Sequence, residues 1–178
     1  MNSIIKICLV TIQAIDRLND WIGKSIAWLT LIMVLTTFLI VVFRYAFDLG
    51  WIAMQEAVFY MHALVFMLGI AFTLKHEKHV RVDIIYQRLD RNTRAWIDFL
   101  GTIILLMPVC LYILWSSWEY VEASWSIQEG SREAGGLPGL FLIKATIPAM
   151  AGLLLLQGIA MALRSLVAVT TSPKIGMH

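Results

Sequence analysis

From Ala57 to Leu74 the chain reads AVFYMHALVFMLGIAFTL, an apolar run entered through Glu56 and left through Lys75, His76, Lys78, His79 and Arg81. Its length is close to the roughly 20 residues a helix needs to cross the hydrocarbon core of a bilayer. Lipid offers no partner to a bare peptide group, so a run of this kind crosses as a helix. Lysine and arginine gather on the cytoplasmic side of membrane proteins, so the basic end faces inward. One stretch therefore predicts a span, an orientation and an acid at the far membrane face.

Three more runs of this kind follow the same logic. They cover residues 25–43, 99–118 and 145–163, with residues 57–74 as the second of four. The chain is 60% hydrophobic and only 15% charged, where a soluble domain carries about 25% charged residues. The expected fold is thus all-α and integral to the membrane, a single domain over residues 1–178. With both termini cytoplasmic, only Arg44, Arg132 and Lys144 of the 14 Lys and Arg lie outside, as the positive-inside bias requires. Trp21 and Trp96 then fall near the inner interface, and Trp51, Trp118 and Trp125 near the outer one. The small net charge of +2 and the absence of a long basic surface leave no footprint for nucleic acid.

The stretches between spans carry their own patterns. In residues 2–20, Ile5, Cys8, Leu9, Ile12 and Ile15 recur at helical spacing, while Lys6, Gln13, Arg17, Asp20 and Lys24 take another face. This predicts an N-terminal amphipathic helix, either lying in the interface or docked on a partner. Asp16 and Asp20 interrupt the apolar start and no small-residue cleavage site follows, so the first span is expected to act as an uncleaved signal anchor. Between spans two and three, Asp83 suits the N-cap of a short cytoplasmic interfacial helix bearing Ile84, Ile85 and Leu89. Pro108 lies within span three and predicts a kink there. Gly135, Gly136 and Pro138 mark a turn before span four.

Ionisable groups near or within spans need partners. Arg44 and Glu56 flank the short outer hairpin at similar depth and are expected to approach each other, either to fix the hairpin or to meet another subunit. Glu119 and Glu122, one turn apart, are expected to cluster with Lys144. No nucleophile or ligand set accompanies that carboxylate pair, so no catalytic residue is assigned. His62 is the one histidine inside a span; a haem would ask for a second axial ligand. Cys8 and Cys110 stand alone among apolar residues and read as packed thiols. No metal and no cofactor is expected.

Four segments together carry a resemblance. They are the RYAF after span one, with Arg44 and Tyr45; the opening of span two, with Trp51 and Glu56; the block LGIAFTLKHEKHVRVDIIYQRL, with Gly69, His79, Val82 and Asp83; and the run SREAGGLPGLFLIKATIPAMAGLLLLQGIA, with Ser131, Glu133, Gly136, Leu137, Pro138, Lys144 and Pro148. In order and spacing the chain resembles the small membrane subunit (the Q, or DctQ-like, subunit) of TRAP transporters, the tripartite ATP-independent periplasmic systems. Gln55 departs from the pattern, since many members carry a second acid before Glu56.

The resemblance implies an accessory subunit of the bacterial inner membrane that has no transport site and is not an enzyme. It implies a large, DctM-like membrane partner that moves the substrate, a periplasmic solute-binding protein that delivers it, and uptake of organic acids coupled to an ion gradient, usually sodium. Arg44, Trp51, Glu56, His79, Asp83, Glu119, Glu122 and Lys144 are then candidates for structural or interface roles. A membrane anchor for a redox enzyme, with haem on His62, is the alternative.

Overall fold

The computed structural model describes residues 3–76 and 89–171. Among the described residues there are five helices, α1 to α5: α1, Ser3–Ala46; α2, Ile52–Lys75; α3, Arg91–Gly101; α4, Met107–Ser126; and α5, Leu140–Thr171. A π turn, Thr102–Leu106, joins α3 to α4 into one rod. Four of the resulting helical stretches are long and apolar enough to cross a membrane.

The N-terminal segment, expected as an amphipathic helix, is continuous with the first span. α1 runs without a break through residues 20–25 for 44 residues, about 66 Å at the α-helical rise. Nothing in the sequence there breaks a helix, and Gly23 is kept small for a different reason. A Cβ at Gly23 would lie 2.7 Å from Phe72 Cβ, so the missing side chain is what lets α1 and α2 cross closely. At the end of α1 that the charge bias is expected to place outside, called the outer end and its opposite the inner end, the Phe43 carbonyl accepts from both Phe47 N (3.2 Å) and Leu49 N (2.9 Å), and Asp48 takes φ 53°. These contacts stop α1 and return the chain into α2 within a few residues, as the paired-span reading expected.

α3 begins at a cap. Asp90 accepts from Asn92 N and Thr93 N, each at 3.1 Å, and these bonds hold its carboxyl below the ordinary carboxylate range, the Thr93 contact foremost. The expected cap at Asp83, and His79 with it, lie outside the described residues. A kink is expected at Pro108; what stands just ahead of it is a π turn. Proline supplies no N–H and crowds the preceding turn; the ladder answers by widening to π over Thr102–Leu106. Thr102 Oγ1 donates to Asp98 O at 2.6 Å across the transition.

α5 is the hub and packs against each of the other described helices. Its contact face is made of small residues: Ala151 and Ala160 are fully buried, and a Cβ at Gly158 would meet Leu106 of the π turn at 3.1 Å. Ala71, Cys110 and Leu154 form the core where α2, α4 and α5 converge; Ile12, Ile15 and Ala160 form a second cluster where α1 meets α5. Without a hydrophobic drive between helices in lipid, close backbone approach and polar contacts hold such a bundle. The outward faces are apolar instead, with Trp28, Phe59 and Trp115 each at least 70% exposed, as surfaces turned to acyl chains or partner helices are.

Candidate functional site

Polar side chains collect at the two ends of the bundle. At the outer end, α4 stops at Ser126 and the chain folds back over residues 127–139 before α5 begins. Gln128 (φ 51°) and Gly135 (φ 81°) turn the backbone through left-handed conformations. The loop is closed by Ser131 N donating to Leu137 O (3.0 Å) and Gly136 N to Glu133 O (3.0 Å).

Glu56, from the first turns of α2, is the clasp. One carboxylate oxygen accepts the Ser131 hydroxyl and the other accepts Leu137 N at 2.6 Å. Ser131 Oγ in turn accepts Glu133 N at 3.0 Å. A carboxylate that takes a hydroxyl and a backbone N–H makes charge-assisted bonds of the stronger kind. Gly136 is required by the same contact, because a Cβ there would lie 2.7 Å from Glu56 Oε2. The expected Arg44–Glu56 ion pair is therefore not made. Arg44 is exposed and lines a small niche with Trp51, Met54 and Gln55, while Glu56 is taken up by the loop.

A second contact ties the loop to α5. Lys144 pairs with Glu129, which also accepts the Ser124 hydroxyl at 2.7 Å, and Lys144 Nζ sits 4.2 Å from the Tyr120 ring centroid. These bonds, that from Lys144 foremost, hold the Glu129 carboxyl below its ordinary range. The predicted cluster is corrected accordingly: Glu119 and Glu122 lie on the exposed side of α4, and the carboxylate that meets Lys144 comes from the loop. Beside the clasp lies an open cleft of about 480 Å³, lined by Gln55, Glu56, Phe59, Tyr60, Arg132 and Glu133 among others.

The inner end is built differently, from side chains of three helices. Asn19 Nδ2 donates to Gln157 Oε1 at 2.7 Å, and Gln157 Nε2 donates to Asp16 Oδ1 at 3.2 Å. Arg164 reaches Asp16 Oδ2 at 2.8 Å, Lys75 reaches Asp20 Oδ2 at 2.5 Å and the Asp16 carbonyl at 3.2 Å, and His76 lies 3.2 Å from Asp20. Asn19 and Gln157 are each only 1% exposed. The Asp16 carboxylate dictates how both amides point, since only an N–H can face it. Asn19 Oδ1 is left buried without a partner.

Sequence reasoning passed over this inner bar, although Gln157 stands in the middle of LLLLQGIA, where an amide must find a partner in lipid, and Asn19 falls four residues after Ile15 on the buried stripe. His62 faces away from the bundle and stacks on Phe66, ring centroids 6.5 Å apart. Among the described residues no three His, Cys, Asp or Glu side chains stand together as a metal site would need.

Apolar helices of spanning length, closed at each end by polar contacts, define an all-helical multi-pass membrane protein. The family model for the DctQ component of tripartite ATP-independent periplasmic transporters matches residues 33–168. The chain belongs to that family: it is the small membrane subunit of a TRAP transporter, an inner-membrane transport component. No curated protein and no solved structure matches it.

Proposed function

We propose that this subunit is the fixed footing of its transporter. It scaffolds a large DctM-like membrane subunit that carries out sodium-coupled uptake of organic acids delivered by a periplasmic binding protein. The termini face the cytoplasm, and residues 127–139, with the hairpin around residues 47–51, form the outer surface offered to the binding protein. The observation that carries this reading is the double closure of the bundle. Glu56 and Lys144 tie the outer loop to α2 and α5, and the Asp16–Gln157–Arg164 and Asp20–Lys75 contacts tie α1 to α5 and α2. A scaffold must resist tilt and sliding while its partner moves, and a helix bundle pinned at both ends does so.

The test is co-purification from native expression in mild detergent. One large polytopic partner is expected to elute with the tagged chain, and deletion of the chain should abolish uptake. A folded chain that elutes alone, with uptake intact in its absence, would sink the scaffold reading.

A further inference from the structure

The inner half of α1 shows three faces rather than two. Ile12, Ile15, Asn19 and Gly23 are buried, the first three against α5 and Gly23 against Phe72 of α2. A second line, Lys6, Gln13, Arg17 and Lys24, is exposed and polar. A third, Ile7, Val10, Ala14, Leu18 and Trp21, is exposed and apolar, with Ile7 66%, Val10 59% and Trp21 70% accessible. The two acids of this segment, Asp16 and Asp20, are engaged by Arg164 and Lys75, so the charge it presents outward is positive.

This surface continues past the point where a span would end. The last residue of α2, Lys75, meets Asp16 and Asp20, so the N-terminal turns of α1 project beyond the inner end of α2. A helix of about 66 Å far exceeds a hydrocarbon core of about 30 Å. The apolar line nevertheless runs on unbroken into Trp28, Ile32 and Leu35, which are exposed on the same side of the spanning part. A helix longer than the bilayer tilts to keep such a face in lipid. An apolar line edged by a basic line is how an interfacial helix meets acyl chains and phosphates together. A protein partner would account for the apolar line but gives no reason for the parallel bases.

We propose that α1 leans toward this side and beds its N-terminal half on the anionic phospholipid surface of the membrane. Ile7, Val10, Leu18 and Trp21 sink among the acyl chains, and Lys6, Arg17 and Lys24 sit at the lipid phosphates. The inference rests on the chain spanning a bilayer and is indifferent to which way its termini face.

The test uses the full chain with Cys8→Ala and Cys110→Ala, spin-labelled singly at Val10→Cys, Gln13→Cys or Leu35→Cys, in vesicles of phosphatidylcholine with and without phosphatidylglycerol. Collision with oxygen and with a water-soluble nickel chelate reports the surroundings of each label. With phosphatidylglycerol present, the oxygen-to-nickel ratio at residue 10 should exceed that at residue 13 several-fold. That excess should shrink when the anionic lipid is omitted or when Lys6→Gln, Arg17→Gln and Lys24→Gln are combined. The proposal is overturned if residue 10 is as open to nickel as residue 13, or if its excess ignores lipid charge. Shielding of residue 10 from both probes would mean that a second copy covers the face, and also overturns it. A nickel-accessible label at residue 35 would sink the spanning reading itself, and the proposal with it.

Discussion

The two ends of the bundle solve one problem by different means. The outer end is closed by a loop: Glu56 and Lys144 each grip a segment whose shape is set by local backbone bonds and two left-handed turns. The inner end is closed by side chains on rigid helices, joining residues as far apart as Asp16 and Arg164. The outer device hangs on single groups, a carboxylate and a missing Cβ. The inner one is shared among amides and ions that answer for one another. Loss of one group should therefore undo the outer closure, whereas the inner closure should tolerate paired changes better than single ones.

The largest effect is expected from Glu56→Ala. It strips the Ser131 hydroxyl and Leu137 N–H of a charged acceptor and should cost about 2–3 kcal/mol. A melt in detergent checks this, together with new protease cutting within residues 127–139; an unchanged melt and an intact loop would refute the clasp. Gln157→Leu comes next, at about 1–3 kcal/mol, because it orphans Asn19 Nδ2 and one oxygen of Asp16. Adding Asn19→Leu should recover part of that loss, since replacing both members of a buried pair is far milder than replacing one. A double-mutant cycle with strictly additive costs would break the contrast between the ends.

Ser131→Ala removes one of the two donors to Glu56 and should cost about 1 kcal/mol, read from the same melt. Glu129 gives the pH dependence. Its folded carboxyl titrates below the ordinary range because Lys144 and Ser124 bind the charged form. The contribution is therefore complete above the ordinary carboxylate value and is lost as pH falls through the lower folded one. Melting curves of the wild type and Glu129→Gln should differ by a constant amount near neutrality and converge in acid; a difference that grows on acidification would contradict the pairing. The smallest effect on stability, within about 0.5 kcal/mol, belongs to Arg132→Gln with Glu133→Gln. Both are exposed, so together they test docking: reduced uptake with normal assembly supports an outer docking surface, and unchanged uptake removes it.

Hydropathy made the spans and the tight outer hairpin legible, because in lipid the backbone has one solution for a long apolar run, and Gly135, Gly136 and Pro138 marked the turn before α5. Pairing of the polar side chains was not legible. Depth placed Arg44 near Glu56 and Glu119 near Lys144, but depth says nothing of rotation about a helix axis. Glu56 faces the loop and Glu119 faces outward, and both follow from how helices roll on α5. Loop residues such as Glu129 could be assigned partners only once the backbone around Gln128 and Gly135 was known. Ser131, Gly136, Leu137 and Lys144, picked out by family resemblance, proved to be the loop's own fastenings, whereas Asn19 had only its place on a stripe to mark it.

The wide turn ahead of Pro108 has a consequence for the whole rod it interrupts. Ala95 and Thr102 are buried seven residues apart; Cys110, Ser117 and Ser124 are buried at the same interval; and between Thr102 and Cys110 the step is eight. Each set repeats at a heptad, and the π turn is the single residue of phase slipped between them. An uninterrupted α-helix would turn everything after Leu106 by about 100° and carry Cys110, Ser117 and Ser124 off the seam that faces α5. Deleting one residue within Thr102–Leu106 would shorten that step to seven and let a plain α-helix hold the seam in register, whereas keeping the residue and losing the π turn would act as a structural frameshift.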